Sequence, residues 1–342
     1  MRVGIVTPAW NVAPWIGDAI RSVLAQSHTD WRMVVVDDGS TDATASLAAG
    51  FVDVRLRLLR QENAGVSVAR NRGLAALEPG VEAVLCLDAD DWLAPDALTR
   101  LVAALHAAPG AVAASGPCSI LGRVLRPPSG DVLRALLWRN HFANLGHLLI
   151  RRAAAIAAGP HIPGLAYGED WDYLIRLALV GRFTAATGRP PVLYVRVRTG
   201  GAVHRLGADP AAFRACLDAI FANPMLRARL GPAALLELRR LADAESHWII
   251  GRELIRHARR REGRAWLLRS VRAHPSARRL LLLAAAYALP LLPTRLRGPF
   301  EPYPAGWEVH DGVVDGAVNG EMLSVRQVHR RVRRGRGNER MR

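Results

Sequence analysis

Short β-branched runs alternate with stretches of helical period from residue 3 to residue 115, and this alternation constrains the fold more than any other feature of the chain. The runs are VGIVT (3–7), RMVVVDD (32–38), VRLRLL (54–59), AVLCLDAD (83–90) and AVAAS (111–115). Between them lie PWIGDAIRSVLAQ (14–26), TDATASLAAG (41–50), VSVARNRGLAAL (66–77) and PDALTRLVAALHAAP (95–109). Strands joined by helical crossovers run parallel, and a parallel sheet needs helices over both faces. The expected fold class is α/β, a Rossmann-like mainly parallel sheet, with ligands bound beyond the carboxyl ends of its strands.

Two strands of that sheet end on acids. LCLDADDWLAPD (85–96) sets Asp88, Asp90 and Asp91 at the tip of an apolar run, where like charges repel unless a cation or a hydrogen-bond network compensates them. A hard divalent ion, Mg²⁺ or Mn²⁺, suits such a tip, because it takes one or two carboxylates and fills its sphere with water and substrate phosphate. The plainer reading has Asp88 and Asp91 capping the next helix and Asp90 in a loop. VVVDDGSTD (34–42) brings Asp37 and Asp38 to a second strand end. There a carboxylate accepts a hydrogen bond from a base N–H or a ribose hydroxyl, with Ser40 or Thr41 as helix cap, or the stretch is an ordinary strand-turn-helix corner.

Three further stretches offer chemistry. ENAGVSVARNRG (62–73) carries Arg70, either a bidentate partner for phosphate or a solvated surface residue. GEDWDYLIR (168–176) puts Glu169 and Asp170 before a helix, where acids stabilise the N-terminus or one of them removes a proton from an acceptor hydroxyl. His204, in GGAVHRLG, is a metal ligand, a phosphate contact or a plain loop histidine.

Past residue 207 the pattern becomes helical. GPAALLELRRLADAESHWIIGRELIRHARR (231–260) reads as one long helix with Pro232 in its first turn, and GRAWLLRSVRAH (263–274) as a shorter one. SARRLLLLAAAYALPLLPTRLR (276–297) has an apolar run of about 14 residues flanked by Arg, short of the roughly 20 that span a bilayer. It is expected either to lie on an anionic membrane surface or to cap the catalytic part. The expected division is 1–207, catalytic; 208–297, a helical extension; and 298–342, a turn-rich and basic tail.

The formal charge of +16 comes mostly from the last two-fifths: residues 1–207 hold 21 Arg against 17 acids, residues 208–342 hold 25 Arg against 13. A nucleic-acid binder would place basic and aromatic residues on the sheet half. That half is nearly neutral, so no nucleic-acid partner is expected. The three cysteines, Cys86, Cys118 and Cys216, show no metal or disulfide spacing, and the N-terminus shows no secretory signal. The expected location is the cytoplasm, with the inner face of the membrane for a peripheral form.

TPAWN (7–11), VVVDDGSTD, NAGVSVARNRG, LDADDWLAPDAL and GEDWDYLIRLA, in this order and spacing, resemble the motif series of the family 2 glycosyltransferases. The resemblance covers residues 1 to about 205 and implies a GT-A fold that transfers a sugar from a nucleotide donor with inversion. It implies Thr7, Pro8 and Trp10 beside the base, although the family commonly has Tyr at the position of Trp10. It implies Asp38 on the base with Asp37 supporting it, Arg70 facing ribose or diphosphate, and Asp88 near the ribose and donor sugar. Asp90, with His204, would hold the metal; Asp170 would be the base, with Glu169 beside it. The Q-x-x-R-W signature of processive synthases is missing after residue 176, which favours single transfer, with UDP-sugar as donor and a saccharide or lipid-linked acceptor. Acceptor contacts are expected around Trp138, Asn140, His141 and Asn144. The competing enzyme reading, a sugar-nucleotide pyrophosphorylase, needs a Gly-rich basic loop after the first strand, and TPAWNVAPW is not one.

Overall fold

The computed structural model describes residues 1–197 and 207–288. The first half follows the alternation: β1 (Val3–Ala9), α1 (Ile16–Leu24), β2 (Trp31–Asp38), α2 (Thr44–Ala49), β3 (Leu56–Gln61), α3 (Val66–Ala75) and β4 (Ala83–Cys86). After β4 come β5 (Trp92–Leu93), α4 (Ala97–Ala107), β6 (Ala113–Ser115), β7 (Cys118–Ile120), β8 (Arg123–Leu125), α5 (Leu133–Trp138), β9 (Leu148–Arg151) and α6 (Arg152–Ala158). The last sheet-half elements are α7 (Glu169–Val180), β10 (Phe183–Ala185) and β11 (Leu193–Val195).

Seven strands form one sheet in the order β10-β6-β9-β4-β1-β2-β3. β3, β2, β1 and β4 are mutually parallel, while β9 runs antiparallel between β4 and β6. This is the expected mainly parallel α/β sheet. The register puts Val3, Ile5, Met33 and Val35 on one face with α1 and α4, and Val6, Val34 and Val36 on the other with α3 and α7. Each face buries its own apolar layer, which is why the strand sequences are apolar at nearly every position rather than at alternate ones. The antiparallel β9 and a second small sheet, β5-β11-β7-β8, carry no periodic signal strong enough to read beforehand, because their strands are only two to four residues long.

The rest is helical: α8 (Pro210–Phe221), α9 (Pro224–Leu230), α10 (Pro232–Arg256), α11 (Arg260–Ala273) and α12 (Ala277–Ala288). Proline opens α8, α9 and α10, at the one turn where its missing N–H is not needed. Asp209 and Asn223 cap α8 and α9 by accepting from the N–H of Ala211 and Met225. The described part of 276–297 packs Leu282, Leu283 and Ala286 against Trp248, Ile255 and Leu267, and turns Leu280, Leu281 and Tyr287 outward. No helix among the described residues is long and apolar enough to cross a membrane. Residues 298–342 and His204 lie outside the described residues.

Candidate functional site

The motif stretches meet at the carboxyl edge of the sheet, each hydrogen-bonded to at least one other. Asn11, just past β1 and held at φ 50°, accepts from the Thr41 N–H at 2.8 Å, while its own N–H donates to Ser40 Oγ at 3.0 Å. Ser40 and Thr41 thus join the first two motifs instead of capping α2. Asp42 receives the Thr44 N–H at 2.9 Å. Gly39 sits at φ 73°, and a Cβ there would lie 2.7 Å from the Asn63 nitrogen, so this turn admits only glycine without displacement.

Asp38 joins the second motif to the third. Its carboxylate accepts from Gln61 Nε2 at 2.7 Å, Ala64 N at 2.9 Å and Gly65 N at 2.9 Å. Three donors on a buried carboxylate fix the loop before α3. Asp37, also buried, takes Arg60 Nε at 3.2 Å, and Arg60 itself is 65% exposed. Of the residues expected at the base, Thr7 and Pro8 are buried, with no protein partner for Thr7 Oγ1, and Trp10 stands open at 46% exposure.

Arg70 joins the third motif to the fourth and fifth. Its Nη2 donates to Asp88 at 2.9 Å and its Nη1 to Glu169 at 3.0 Å, across 18 and 99 residues of chain. The side chain is only 3% exposed. Both Nη atoms of this buried guanidinium, expected to face ribose or diphosphate, are held by carboxylates. Burial works against its charge, yet Asp88 and Glu169 hold it above its ordinary pKa. The arginine is a fixed cation in the floor of the site.

Asp170 lies in the first turn of α7, only partly open, and accepts the Trp171 N–H at 2.7 Å. Burial pushes its carboxyl up to about 7, with Glu169 adding to the rise and Arg70 opposing it. A carboxylate near 7 is poised to take a proton at neutral pH. Gly168, at φ 76°, opens α7, and a Cβ there would stand 2.3 Å from Cys216 Sγ on α8. The start of α7, and with it Asp170, is therefore set by a left-handed glycine pressed against the helical extension.

The DADD tip divides its acids. Asp88 pairs with Arg70; Asp90 is partly open; Asp91 is buried and accepts from Asn144 Nδ2 at 2.6 Å and Arg196 N at 2.8 Å. Neither Asp88 nor Asp91 caps a helix. Burial, with Asp90 and Asp88 alongside, raises the Asp91 carboxyl well above the usual range. No group of three potential metal ligands occurs among the described residues. An ion here would take one or two carboxylates, Asp90 among them, and complete its sphere from substrate and water, which is how a hard divalent cation is commonly bound.

Arg196 was not expected from the sequence. Its Nη2 donates to Asp18 at 2.9 Å, and its guanidinium lies over the rings of Trp92 and Trp15 at 5.2 and 6.0 Å. Nothing local marks it, since its partners lie 105 and 178 residues away. Asn144, expected near the acceptor, is buried and donates to Asp91. Trp138 is 38% exposed at the end of α5, edge-on to His141.

With this geometry in hand, comparison with known proteins is direct. Residues 4–156 match the sequence model of glycosyl transferase family 2. Over that stretch the chain is similar to the family 2 glycosyltransferases. The matched stretch includes Asp38, Arg70 and Asp90 and ends before Glu169 and Asp170. The chain is 38% identical over 101 residues to the putative teichuronic acid biosynthesis glycosyltransferase TuaG of Bacillus subtilis, covering 29% of this chain and 39% of that one. It is 41% identical over 127 residues to the succinoglycan biosynthesis protein ExoO of Rhizobium meliloti, 36% of each. The match thus spans less than two-fifths of either relative. Among solved structures, S. aureus TarS 1–349 in complex with UDP-GlcNAc superposes at a TM-score of 0.53 with 15% identity, over 85% of this chain and 92% of that one. The mannosyltransferase PcManGT from Pyrobaculum calidifontis, in complex with GDP-Man and Mn²⁺, gives 0.53 with 23% identity, over 85% and 81%. At these identities the likeness is one of fold.

Proposed function

We propose that this protein is an inverting glycosyltransferase that moves one sugar from a nucleoside-diphosphate donor, a UDP-sugar by preference, to an acceptor hydroxyl during synthesis of a cell-surface polysaccharide. The observation that carries the reading is Asp170: a carboxyl raised to about 7 beside Glu169, in a network that Arg70 ties to Asp88 at the carboxyl edge of a parallel sheet. The names of TuaG and ExoO, and the donors bound by TarS and PcManGT, support the substrate class.

Asp170 removes the proton of the acceptor hydroxyl as its oxygen attacks the anomeric carbon from the face opposite the nucleotide. The new C–O bond forms as the bond to the diphosphate breaks, so configuration inverts in one displacement. Asp88 faces the donor, and Arg70 orients Asp88 and Glu169 and lowers the proton affinity of Asp170, a positioning role in place of direct phosphate contact. Asp37, Asp38 and Trp10 form the base end, with Asp38 shaping the loop and Trp10 offering an open ring. A divalent ion held by Asp90, joined by His204, would supply positive charge to the leaving diphosphate.

The proposal includes the division of labour along the chain: residues 1–207 carry the chemistry and 208–297 support it. Exposed Leu280 and Leu281 on α12, next to the exposed Arg278, give this extension a peripheral contact with anionic membrane, apt for a lipid-linked acceptor. The deciding experiment is a thermal-stability screen of nucleotide sugars with and without Mn²⁺, since a ligand selective for the folded state raises its stability by mass action. A UDP-sugar that stabilises only with the cation is expected. No stabilisation by any nucleotide sugar would end the reading.

A further inference from the structure

Two residues turn the chain between β7 and β8, and one of them is an unusual choice. Ile120 pairs with Arg123 across the hairpin, which leaves Leu121 and Gly122 as the turn, at φ 51° and 71°. Left-handed angles at both positions make a type I′ turn, whose first position favours Asn, Asp or Gly because other side chains are strained there. Leucine in that place costs backbone energy, and little burial offsets the cost, since Leu121 is 41% exposed. A strained residue held in the open points to a use for the side chain.

The strand that follows is open as well. β8 is the edge strand of the small sheet and is exposed at all three positions. Val124 is 41% and Leu125 43% exposed, and as neighbours in a strand they point to opposite faces. Arg123 and Arg126 are exposed too, and neither guanidinium has a partner among the described residues. No acid occurs between Asp96 and Asp131. An exposed apolar edge of this kind marks an interaction site. A second copy of the chain fits it poorly, because antiparallel pairing about the centre of β8 would bring the arginines of the two copies face to face. A soluble polyanion would engage the arginines and leave three apolar side chains in water. An anionic layer with an apolar interior uses both sets, and a fluid layer can surround a hairpin whose apolar groups lie on both faces.

We infer that the β7–β8 hairpin dips into the headgroup region of an anionic lipid surface, with Leu121 at its leading end and Arg123 and Arg126 on lipid phosphates. This contact is separate from the one proposed for α12 and lies on the sheet half of the chain. The small sheet ties it to the candidate site. β5 begins directly after Asp91, and Arg196, whose N–H donates to Asp91, directly follows β11. β8 stands three strand intervals from β5 in the order β5-β11-β7-β8, about 14 Å at about 4.8 Å per interval. A lipid-linked acceptor at that surface would present its hydroxyl on the scale of this distance. The lipid contact goes beyond the proposed transfer and stands without it.

Leu121→Asn separates the lipid contact from folding, because Asn-Gly is the preferred pair for this turn: the hairpin is kept or strengthened while its tip becomes polar. The full chain is co-sedimented with vesicles of equal parts phosphatidylglycerol and phosphatidylcholine. The variant is expected to melt at or above the wild-type Tm and to bind about tenfold more weakly, the scale of withdrawing one leucine from an apolar phase. Arg123→Gln combined with Arg126→Gln is expected to weaken binding about twentyfold, from about fivefold for each cation near an anionic surface. Wild-type protein that does not sediment with these vesicles overturns the inference, as does Leu121→Asn that binds like wild type. If sedimentation velocity shows a dimer that Leu121→Asn dissociates while vesicle binding is unchanged, the partner is a second copy and the lipid contact falls. Were the wild type to bind vesicles through this hairpin and transfer no sugar, the functional reading would fall and the lipid contact would stand.

Discussion

Asp170→Asn is expected to move activity and stability in opposite directions. The carboxyl stands at about 7 in the folded protein against 3.8 for the free side chain. Folding therefore favours its protonated form, and the stability this lends is fully present below about pH 3.8 and is lost as pH rises through 7. That difference amounts to about 4 kcal/mol at pH 8, an upper bound because solvent reaching this carboxyl screens it. Asparagine has the shape of the protonated acid and never ionises. The variant should be more stable than wild type by up to about 4 kcal/mol at pH 8, and by under about 1 kcal/mol at pH 4, where wild-type Asp170 is protonated in the fold and half-protonated when unfolded. Turnover should fall by about 10² to 10⁴, the usual contribution of a general base. Wild-type kcat/KM should climb about tenfold between pH 6 and 8 as the base ionises. Denaturant melts at the two pH values and initial rates with a UDP-sugar measure all of this. Near-normal turnover, or a stability gain equal at both pH values, would refute the role given to Asp170.

Asp90→Ala should abolish the Mn²⁺-dependent part of donor stabilisation while leaving the Tm of the free protein within a few degrees, as thermal melts with and without donor would show. Arg70→Met strands Asp88 and Glu169 side by side. It should destabilise the protein by about 3 kcal/mol in denaturant melts, the scale for removing one partner of a buried ion pair. A loss below about 1 kcal/mol would show that the network does not bear on the fold. Leu281→Asp should weaken co-sedimentation with anionic vesicles without changing transfer to a water-soluble acceptor. Unchanged sedimentation would remove the membrane contact.

The sheet was legible because its information is local. A run such as VVVDD and the helix after it declare their periods within ten residues, and β2 indeed ends at Asp38. The candidate site was legible as a set of residue types but not as a network. Arg70 reads equally well as a surface residue, because nothing near it in sequence says that Glu169, 99 positions on, will meet its Nη1. Asp91 looked like a metal ligand or a cap, and its partners Asn144 and Arg196 sit in stretches with no motif at all. β9, which the parallel pattern did not announce, follows the same logic: its direction is set by its neighbours β4 and β6 and not by its own four residues.

The helical extension also bears on the candidate base. α8 places Cys216 Sγ where a side chain at position 168 would be, 3.7 Å from the Gly168 carbonyl, and packs Phe213 at a tilt against Tyr167 with ring centroids 4.3 Å apart. On the other flank Arg139, at the end of α5, reaches Glu245 of α10 at 3.6 Å, and Glu245 in turn holds Arg279 of α12 at 3.2 Å. The loop that delivers Glu169 and Asp170 is thus gripped from the extension side by packing against α8, and from the sheet side by Arg70. A carboxyl raised to about 7 needs such restraint: burial and a like-charged neighbour both favour its swinging out to water, and a backbone pinned on two sides keeps it from doing so. The extension and Arg70 therefore hold the first turn of α7 between them, the restraint that the proposed role of Asp170 requires.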